Sequence, residues 1–87
     1  MADYTITFVR SARKQLERID IVWVRRIFPA IEALAVNPRP PSCKKLKGYQ
    51  NLWRIRVGDY RVVYSIDDLA RTVDVSAVRH RSEVYRD

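Results

Sequence analysis

The sequence predicts a small α+β domain with the element order β-α-α-β-β-β and a short closing helix. Three observations predict it: residues 3–9 alternate in the manner of a strand, residues 11–36 carry apolar side chains at helical spacing, and three further alternating segments follow residue 50. We expect the two N-terminal helices to pack on one face of a small, mostly antiparallel sheet. The 87 residues allow one hydrophobic core, so residues 1–87 are expected to form a single domain.

The first strand and first helix follow directly from the spacing of apolar residues. Tyr4, Ile6 and Phe8 recur at every second position and should share one face of a strand. Ser11 is a candidate N-cap for a short amphipathic helix that follows.

The second helix is predicted to be the longer one. Asp20 can cap its start, and Asn37-Pro38 should end it. Its apolar stripe is formed by Val24, Ile27, Phe28, Ile31, Leu34 and Ala35. Pro29 lies inside this stripe, so we expect a kink or a break near Arg25.

A segment rich in proline and lysine, residues 37–50, separates the helices from the remaining strands, and its composition favours extended backbone outside the sheet. Alternation of period two then returns in residues 51–57, 60–66 and 71–78. A tight turn at Gly58-Asp59 and a loop at Asp67-Asp68 should join these into three consecutive antiparallel strands. Residues after Ser82 are expected to form a last turn or short helix.

The charge of the chain favours a polyanion or an acidic protein as partner. Its formal net charge is +7 and its pI is near 10.1, and residues 39–87 hold eleven basic against six acidic side chains. Apolar runs such as Ile21–Val24 are far shorter than the roughly 20 residues of a membrane helix, and no signal pattern opens the sequence. We therefore expect a cytoplasmic protein that does not contact a membrane.

Neither a metal nor a cofactor is expected. Cys43 is the single cysteine, so it can form no internal disulfide, and it has only one histidine with which to share a metal. The spacing of Asp67, Asp68 and Asp74 fits a turn followed by a strand rather than a metal site.

Arginines dominate the sheet face that the helices cannot cover. Alternation places Arg54, Arg56 and Arg61 on this open face. In the last strand strict alternation turns Val78 outward and Arg79 inward, yet a buried unpaired guanidinium is too costly. The strand must therefore end or bulge before Arg79.

Converging guanidinium groups suit a phosphodiester, since each can bind two phosphate oxygens and stabilise the charge of a phosphorane. Alternating arginines can equally serve to solubilise an exposed strand and to protect its edge. The spacing alone leaves both interpretations open.

Several segments taken together resemble the RelE branch of the RelE/ParE superfamily of bacterial toxin–antitoxin toxins. They are KKLKGYQNLWRIRVGDYRVVYSI and the closing VSAVRHRSEVYR, and the likeness extends over the whole chain. The resemblance implies a ribosome-dependent endoribonuclease that enters the ribosomal A site and cuts mRNA there. In that reaction the 2′-hydroxyl attacks the adjacent phosphate without a metal and leaves a 2′,3′-cyclic phosphate and a free 5′-hydroxyl.

The resemblance also assigns roles to residues. Arg61 would clamp the scissile phosphate, Arg79 would stabilise its developing charge, and Tyr85 would stack on a substrate base. Arg54 and Arg56 stand where the best-known RelE-type pattern has lysines, one of which can transfer protons. An arginine cannot act as the general base, because it keeps its proton at accessible pH.

His80 is the candidate replacement for the general base, since Arg79 and Arg81 on either side disfavour its protonation. Catalysis by the arginines alone, or with help from ribosomal RNA, remains the alternative. Lys44, Lys45, Lys47 and Arg81 are expected to bind RNA phosphates of the message or of 16S rRNA.

The resemblance further implies a cognate antitoxin, RelB-like or of another type, as partner. Trp23 could anchor that antitoxin, although we favour its packing under the proline-rich segment. Two alternatives to the nuclease stay open: a ParE-like inhibitor of DNA gyrase, which needs no phosphate-binding arginines, and a catalytically inert relative that only binds antitoxin.

Overall fold

The computed structural model describes residues 3–83, which form a five-stranded mixed sheet with two α-helices on one side. The strands are β1 (Thr5–Phe8), β2 (Lys44–Lys45), β3 (Trp53–Val57), β4 (Tyr60–Asp67) and β5 (Thr72–His80). Their spatial order is β1-β5-β4-β3-β2; β1 runs parallel to β5 and all other neighbours are antiparallel. Helices α1 (Arg10–Arg18) and α2 (Ile21–Ala33) follow β1, and a 3₁₀ turn (Arg81–Glu83) follows β5. The predicted α+β class and the order of the predicted helices and strands are confirmed, with β2 as an additional strand; the turn predicted after Ser82 lies largely outside the described residues.

The hydrophobic core lies between the helices and one side of the sheet, which we call the helix face; the opposite side is the outer face. Ile27, Ile31 and Leu34 from the predicted apolar stripe are at most 1% exposed. They belong to one cluster with Val62, Tyr64, Val73 and Val75 of the two central strands. Each such side chain stabilises the fold by about 1.5–3 kcal/mol, so this cluster fixes which side of β4 and β5 faces inward.

The two helices begin differently. Asp20 is the N-cap of α2, and its carboxylate accepts a hydrogen bond from the Val22 amide at 2.9 Å. The predicted cap at Ser11 is wrong: α1 starts two residues earlier than that cap implies, at Arg10, with Val9 at the N-cap and no side-chain hydrogen bond there. Val9 also donates its amide to the carbonyl of Val75 at 3.0 Å, so the sheet itself holds the start of α1.

Pro29 does not interrupt α2, which is helical from Ile21 to Ala33, so the predicted break is absent. A proline inside a helix costs about 3 kcal/mol. Burial of Ile27 before it and Ile31 after it holds both halves of the helix on the same core and offsets that cost. Within the described part of the chain, neither helix is long and apolar enough to span a membrane.

The segment rich in proline and lysine joins the sheet, contrary to the prediction. Lys44 and Lys45 form β2 and pair with Arg54 and Trp53 of β3. Tyr64, buried in the core, donates its hydroxyl to the carbonyl of Pro38 at 2.8 Å. Burial raises the pKa of the Tyr64 phenol, so it remains a donor throughout the physiological range.

A second contact ties the same segment to the β4–β5 turn. Arg39 donates to both carboxylate oxygens of Asp68, at 3.0 and 3.3 Å, and Tyr4 donates to one of them at 2.6 Å. These hydrogen bonds, that of Arg39 first, hold the pKa of Asp68 below its usual value. The contact therefore stabilises the folded chain at neutral pH, and its contribution is lost as acid protonates the carboxylate.

Trp23 packs against the β3–β4 turn rather than under the proline-rich segment, so that prediction is wrong. Its ring lies 5.5 Å from the Tyr60 ring, and the Arg26 guanidinium lies 5.0 Å from its centroid. Gly58 in the turn has φ +59, and a Cβ built on it would lie 2.5 Å from the Trp23 ring. The turn therefore needs glycine for its backbone and for the space that the indole fills.

We predict that Gly58→Ala destabilises the protein more than Gly48→Ala. Both glycines have positive φ, and an alanine there costs roughly 1 kcal/mol, but a Cβ at Gly48 would meet nothing within 4 Å. The overlap with Trp23 should add about 1–3 kcal/mol at Gly58, measurable by urea unfolding. Equal losses in the two variants would contradict the close packing of Trp23 on the turn.

Candidate functional site: a row of arginines on the outer face

A β-bulge in β5 decides where Arg79 lies. Val63 of β4 pairs with Ala77, whereas the next residue, Tyr64, pairs with Val75, so Ser76 is the extra residue. One extra residue reverses the alternation of side chains beyond it. Val78 is consequently in the core at 2% exposure, and Arg79 is exposed.

The predicted interruption before Arg79 is thus confirmed in the form of a bulge, and the strand continues to His80. The strict alternation that turned Val78 outward is wrong for the same reason. The physical argument from the cost of burying a guanidinium located the irregularity better than the pattern of apolar residues did.

Beyond the bulge, three arginines lie directly opposite one another on neighbouring strands. Arg56 of β3 pairs with Arg61 of β4, and Arg61 pairs with Arg79 of β5. Directly paired residues point to the same side of a sheet, here the outer face, so we call these three the arginine row. The adjacent row on this face contains Arg54, which pairs with Val63 on one side and Lys44 on the other.

The arginines of this face differ in exposure. Arg54, Arg56 and Arg61 lie on the face predicted for them, but Arg61 and Arg54 are only 5% and 8% exposed, whereas Arg56 and Arg79 are exposed. Arginine stems can pack along neighbouring apolar surface while the head groups form hydrogen bonds. No buried side-chain nitrogen or oxygen of residues 3–83 lacks a hydrogen-bond partner. Arg61 is therefore a fixed positive charge between two accessible ones.

Acidic and hydroxyl side chains occupy the opposite end of the outer face. Asp74 pairs with Ser65 and with Thr7, and the Thr7 hydroxyl donates to its carboxylate at 2.8 Å. The bulge at Ser76 lies between this end and the arginine row. Because Asp74 does not pair in register with the arginine row, the positive charge is concentrated at one end of the face. Among residues 3–83, no cluster of three or more His, Cys, Asp or Glu could hold a metal ion.

His80 is not brought together with the arginine row. It pairs in register with Tyr60, and its ring meets the Tyr60 ring edge-on at 5.2 Å. The Tyr60 ring in turn contacts Trp23 of α2, so all three rings lie on the helix face. The Nδ1 atom of His80 accepts the Ser82 amide hydrogen at 3.2 Å. A phosphate held on the outer face by Arg61 and Arg79 would be separated from this ring by the sheet.

The remaining predicted RNA-binding residues surround the site without entering the row. Lys44 extends the row of Arg54, while Lys45 lies near the Trp53 ring, with 5.8 Å from its ammonium to the centroid. Lys47 is exposed in the loop after β2. Arg81 lies 3.8 Å from Asp59 of the β3–β4 turn, which offsets part of its charge. Tyr85 lies outside the described residues.

One contact near the site had no sequence signal. Gln15 of α1 accepts the backbone N–H of Val78 through its side-chain oxygen at 2.7 Å. The two residues are 63 positions apart, and glutamine on an amphipathic helix is ordinarily a solvated polar residue. The contact becomes evident only when α1 is packed against β5, where the Gln15 side chain meets the strand one residue before Arg79.

Comparison with known proteins gives a consistent set of similarities. The family described as "ParE toxin of type II toxin-antitoxin system, parDE" matches residues 6–85. The toxin RelG of Mycobacterium tuberculosis is 32% identical, over 95% of this chain and 97% of its own.

Solved structures of two toxin–antitoxin complexes share the fold. The archaeal RelE–RelB complex from Pyrococcus horikoshii superposes with a TM-score of 0.81 at 25% identity, covering 94% of this chain and 99% of that one. The RelBE2 complex from Mycobacterium tuberculosis gives 0.81 at 28% identity, covering 91% and 99%.

We predict that Arg79→Gln raises the free energy of unfolding at low ionic strength. Like charges directly opposite on neighbouring strands destabilise a sheet, and removing one should stabilise it by about 0.2–1 kcal/mol. The gain should shrink as added salt screens the repulsion. Arg25→Gln on the exposed surface of α2 removes the same net charge and serves as the control in urea titrations. A loss of stability in Arg79→Gln would mean that the row is not under electrostatic strain.

Proposed function

Since the chain belongs to the RelE/ParE family of toxins from type II toxin–antitoxin systems, we propose that it is an endoribonuclease that cuts mRNA in the ribosomal A site and so inhibits translation. The observation that carries this proposal is the arginine row, in which Arg56, Arg61 and Arg79 face one another on three strands. Repulsion among them is a cost to the folded chain that a bound phosphodiester would remove.

The proposed reaction is an internal transfer at phosphorus. The 2′-oxygen of the substrate forms a bond to the adjacent phosphorus, and the bond from phosphorus to the 5′-oxygen breaks. The products are a 2′,3′-cyclic phosphate and a 5′-hydroxyl, so one proton leaves the 2′-oxygen and one reaches the 5′-oxygen. The phosphorane between them carries more negative charge than the starting diester, which is the state that fixed guanidinium groups stabilise most.

Arg61 and Arg79 have complementary roles in this proposal. Arg61 is nearly buried and central in the row, which suits a clamp on the scissile phosphate. Arg79 is exposed at the end of β5 and can follow the charge that develops on the phosphorane. Arg54 and Arg56 add to the positive potential from β3. Tyr85 is proposed to stack on a substrate base, as the resemblance to RelE toxins implies.

Proton transfer is assigned to water or to groups of the ribosome. Arginine does not give up its proton at physiological pH, and His80 lies on the helix face in contact with Tyr60. The position of His80 therefore argues against its proposed role as general base. Stabilisation of the phosphorane by the arginines, with the ribosome completing the site, accounts for a nuclease that acts only on translated message. No metal is assigned to the reaction.

Two macromolecular partners follow from this function. Lys44, Lys45, Lys47 and Arg81 are proposed to bind phosphates of the message and of 16S rRNA, a role that requires positive charge and little geometry. The related structures are complexes of RelE with the antitoxin RelB, which supports a cognate antitoxin as the second partner. The high positive charge of this chain favours an acidic binding segment in that antitoxin.

Inhibition of DNA gyrase is the second candidate, because the matching family is named for ParE. A toxin that binds a protein target needs no row of phosphate-binding arginines, so this candidate explains less of the structure. An inert, antitoxin-binding relative would retain the fold and cut nothing.

We predict that Arg79→Gln slows cleavage at least 100-fold, since it removes one charge that stabilises the phosphorane. Primer extension on mRNA in a translating extract should show cuts in phase with codons for the native protein and for Arg25→Gln, and cuts that accumulate at least 100-fold more slowly for Arg79→Gln at equal concentration. Arg61→Lys keeps the positive charge but loses the planar pair of N–H donors with which a guanidinium binds two phosphate oxygens, so it should also be strongly impaired. Stalled gyrase on DNA with intact mRNA would refute the proposal in favour of the second candidate.

We predict that His80→Gln leaves the dependence of single-turnover cleavage on pH unchanged between pH 6 and 8. A general base would impose its own titration on the rate, whereas the ring lies across the sheet from the arginine row. Loss of the contact with Tyr60 should lower thermal stability modestly, so rates are compared well below the melting temperature. Disappearance of a pH-dependent limb in the variant would restore His80 as the base.

A further inference from the structure

Among residues 3–83, the C-terminal end of β5 has no strand neighbour on one side. β1 pairs with β5 only as far as Phe8 opposite Val75, and the chain then turns into α1. The residues of β5 beyond the bulge, including Val78 and Arg79, pair with β4 on their other side alone. A strand end that is paired on one side only, next to an unpaired bulge residue, is held by fewer backbone hydrogen bonds than the rest of the strand.

A side chain from α1 provides a hydrogen bond that a neighbouring strand would otherwise provide. The Gln15 side-chain oxygen accepts the Val78 amide at 2.7 Å. α1 is itself fixed, because Ala12 is fully buried and Leu16 packs on the core. The Val78 side chain is also in the core at 2% exposure, so both the side chain and the amide of this residue are held.

We propose that Gln15 is a positioning residue for Arg79, a role that rests on the proposed cleavage of RNA. Arg79 follows Val78 directly, so the hydrogen bond from Gln15 fixes the backbone from which its side chain reaches the phosphate. Arg61 needs no such support, because β4 is paired on both sides, with β3 and β5. Loss of the Gln15 contact therefore acts on one member of the arginine row and leaves the others in place.

The activity test compares Gln15→Leu and Gln15→Glu with the native protein in single-turnover cleavage on programmed ribosomes. Leucine removes the acceptor at similar volume, and glutamate keeps an acceptor oxygen. We expect Gln15→Leu to lower the maximal rate about tenfold with little change in half-saturating ribosome concentration, and Gln15→Glu to retain most activity. Gln50→Leu, at an exposed loop position, is the control and should match the native rate.

A double variant separates positioning from general destabilisation. If Gln15 acts through Arg79, adding Gln15→Leu to Arg79→Gln should slow cleavage no further. A further tenfold loss in that background would overturn the proposal, because it would show an effect independent of Arg79. Full activity of Gln15→Leu would overturn it equally.

Hydrogen exchange tests the anchor without any activity. In Gln15→Leu the Val78 amide should exchange at least tenfold faster, while the core amide of Val62 keeps its protection. Unchanged protection at Val78 would refute the anchor. If the native protein cuts no message at all, the nuclease proposal fails, and the exchange measurement still decides whether Gln15 holds this end of β5.

Discussion

The one extra residue in β5 is the feature on which the rest of the site depends. Before Ser76, the inward side chains of β5 are Val73 and Val75; after it, the inward side chain is Val78. Without this change of phase, either a valine would leave the core or the guanidinium of Arg79 would enter it. The core and the charged face are therefore compatible in one strand only because of an irregularity.

The three positive charges of the arginine row repel one another, and the same arrangement favours a bound anion. Three guanidinium groups in register across neighbouring strands repel one another, and two of them are exposed. The fold tolerates this because its stabilisation comes from elsewhere: the apolar cluster around Tyr64 and the hydrogen bonds from Arg39 to Asp68. Charges arranged in advance need little reorganisation when substrate charge develops, which is the condition for electrostatic catalysis.

Sequence patterns predicted the class, the order of elements and the meander, because period two and period 3.6 are imposed by burial on one side. They missed β2, whose two lysines carry no apolar alternation, and the contact of Gln15, which depends on two elements distant in sequence. They predicted that Arg54, Arg56 and Arg61 share one face, but they did not predict which of the three side chains are exposed. They set His80 beside Arg79 in sequence, whereas neighbours in sequence point to opposite sides of a strand, so the ring lies on the helix face.

The parallel pairing of β1 with β5 places the first strand of the chain beside the last. α1 also packs on β5, so β1 and α1 lack their partner strand until residues 72–80 are available. During synthesis the sheet can therefore close only after residues 72–80 have left the ribosome, and contacts of such high sequence separation form slowly. Arg79 arrives with that final strand. The arginine row is accordingly incomplete until β5 has paired with β4, and a nascent chain that ends before residue 79 carries no complete row.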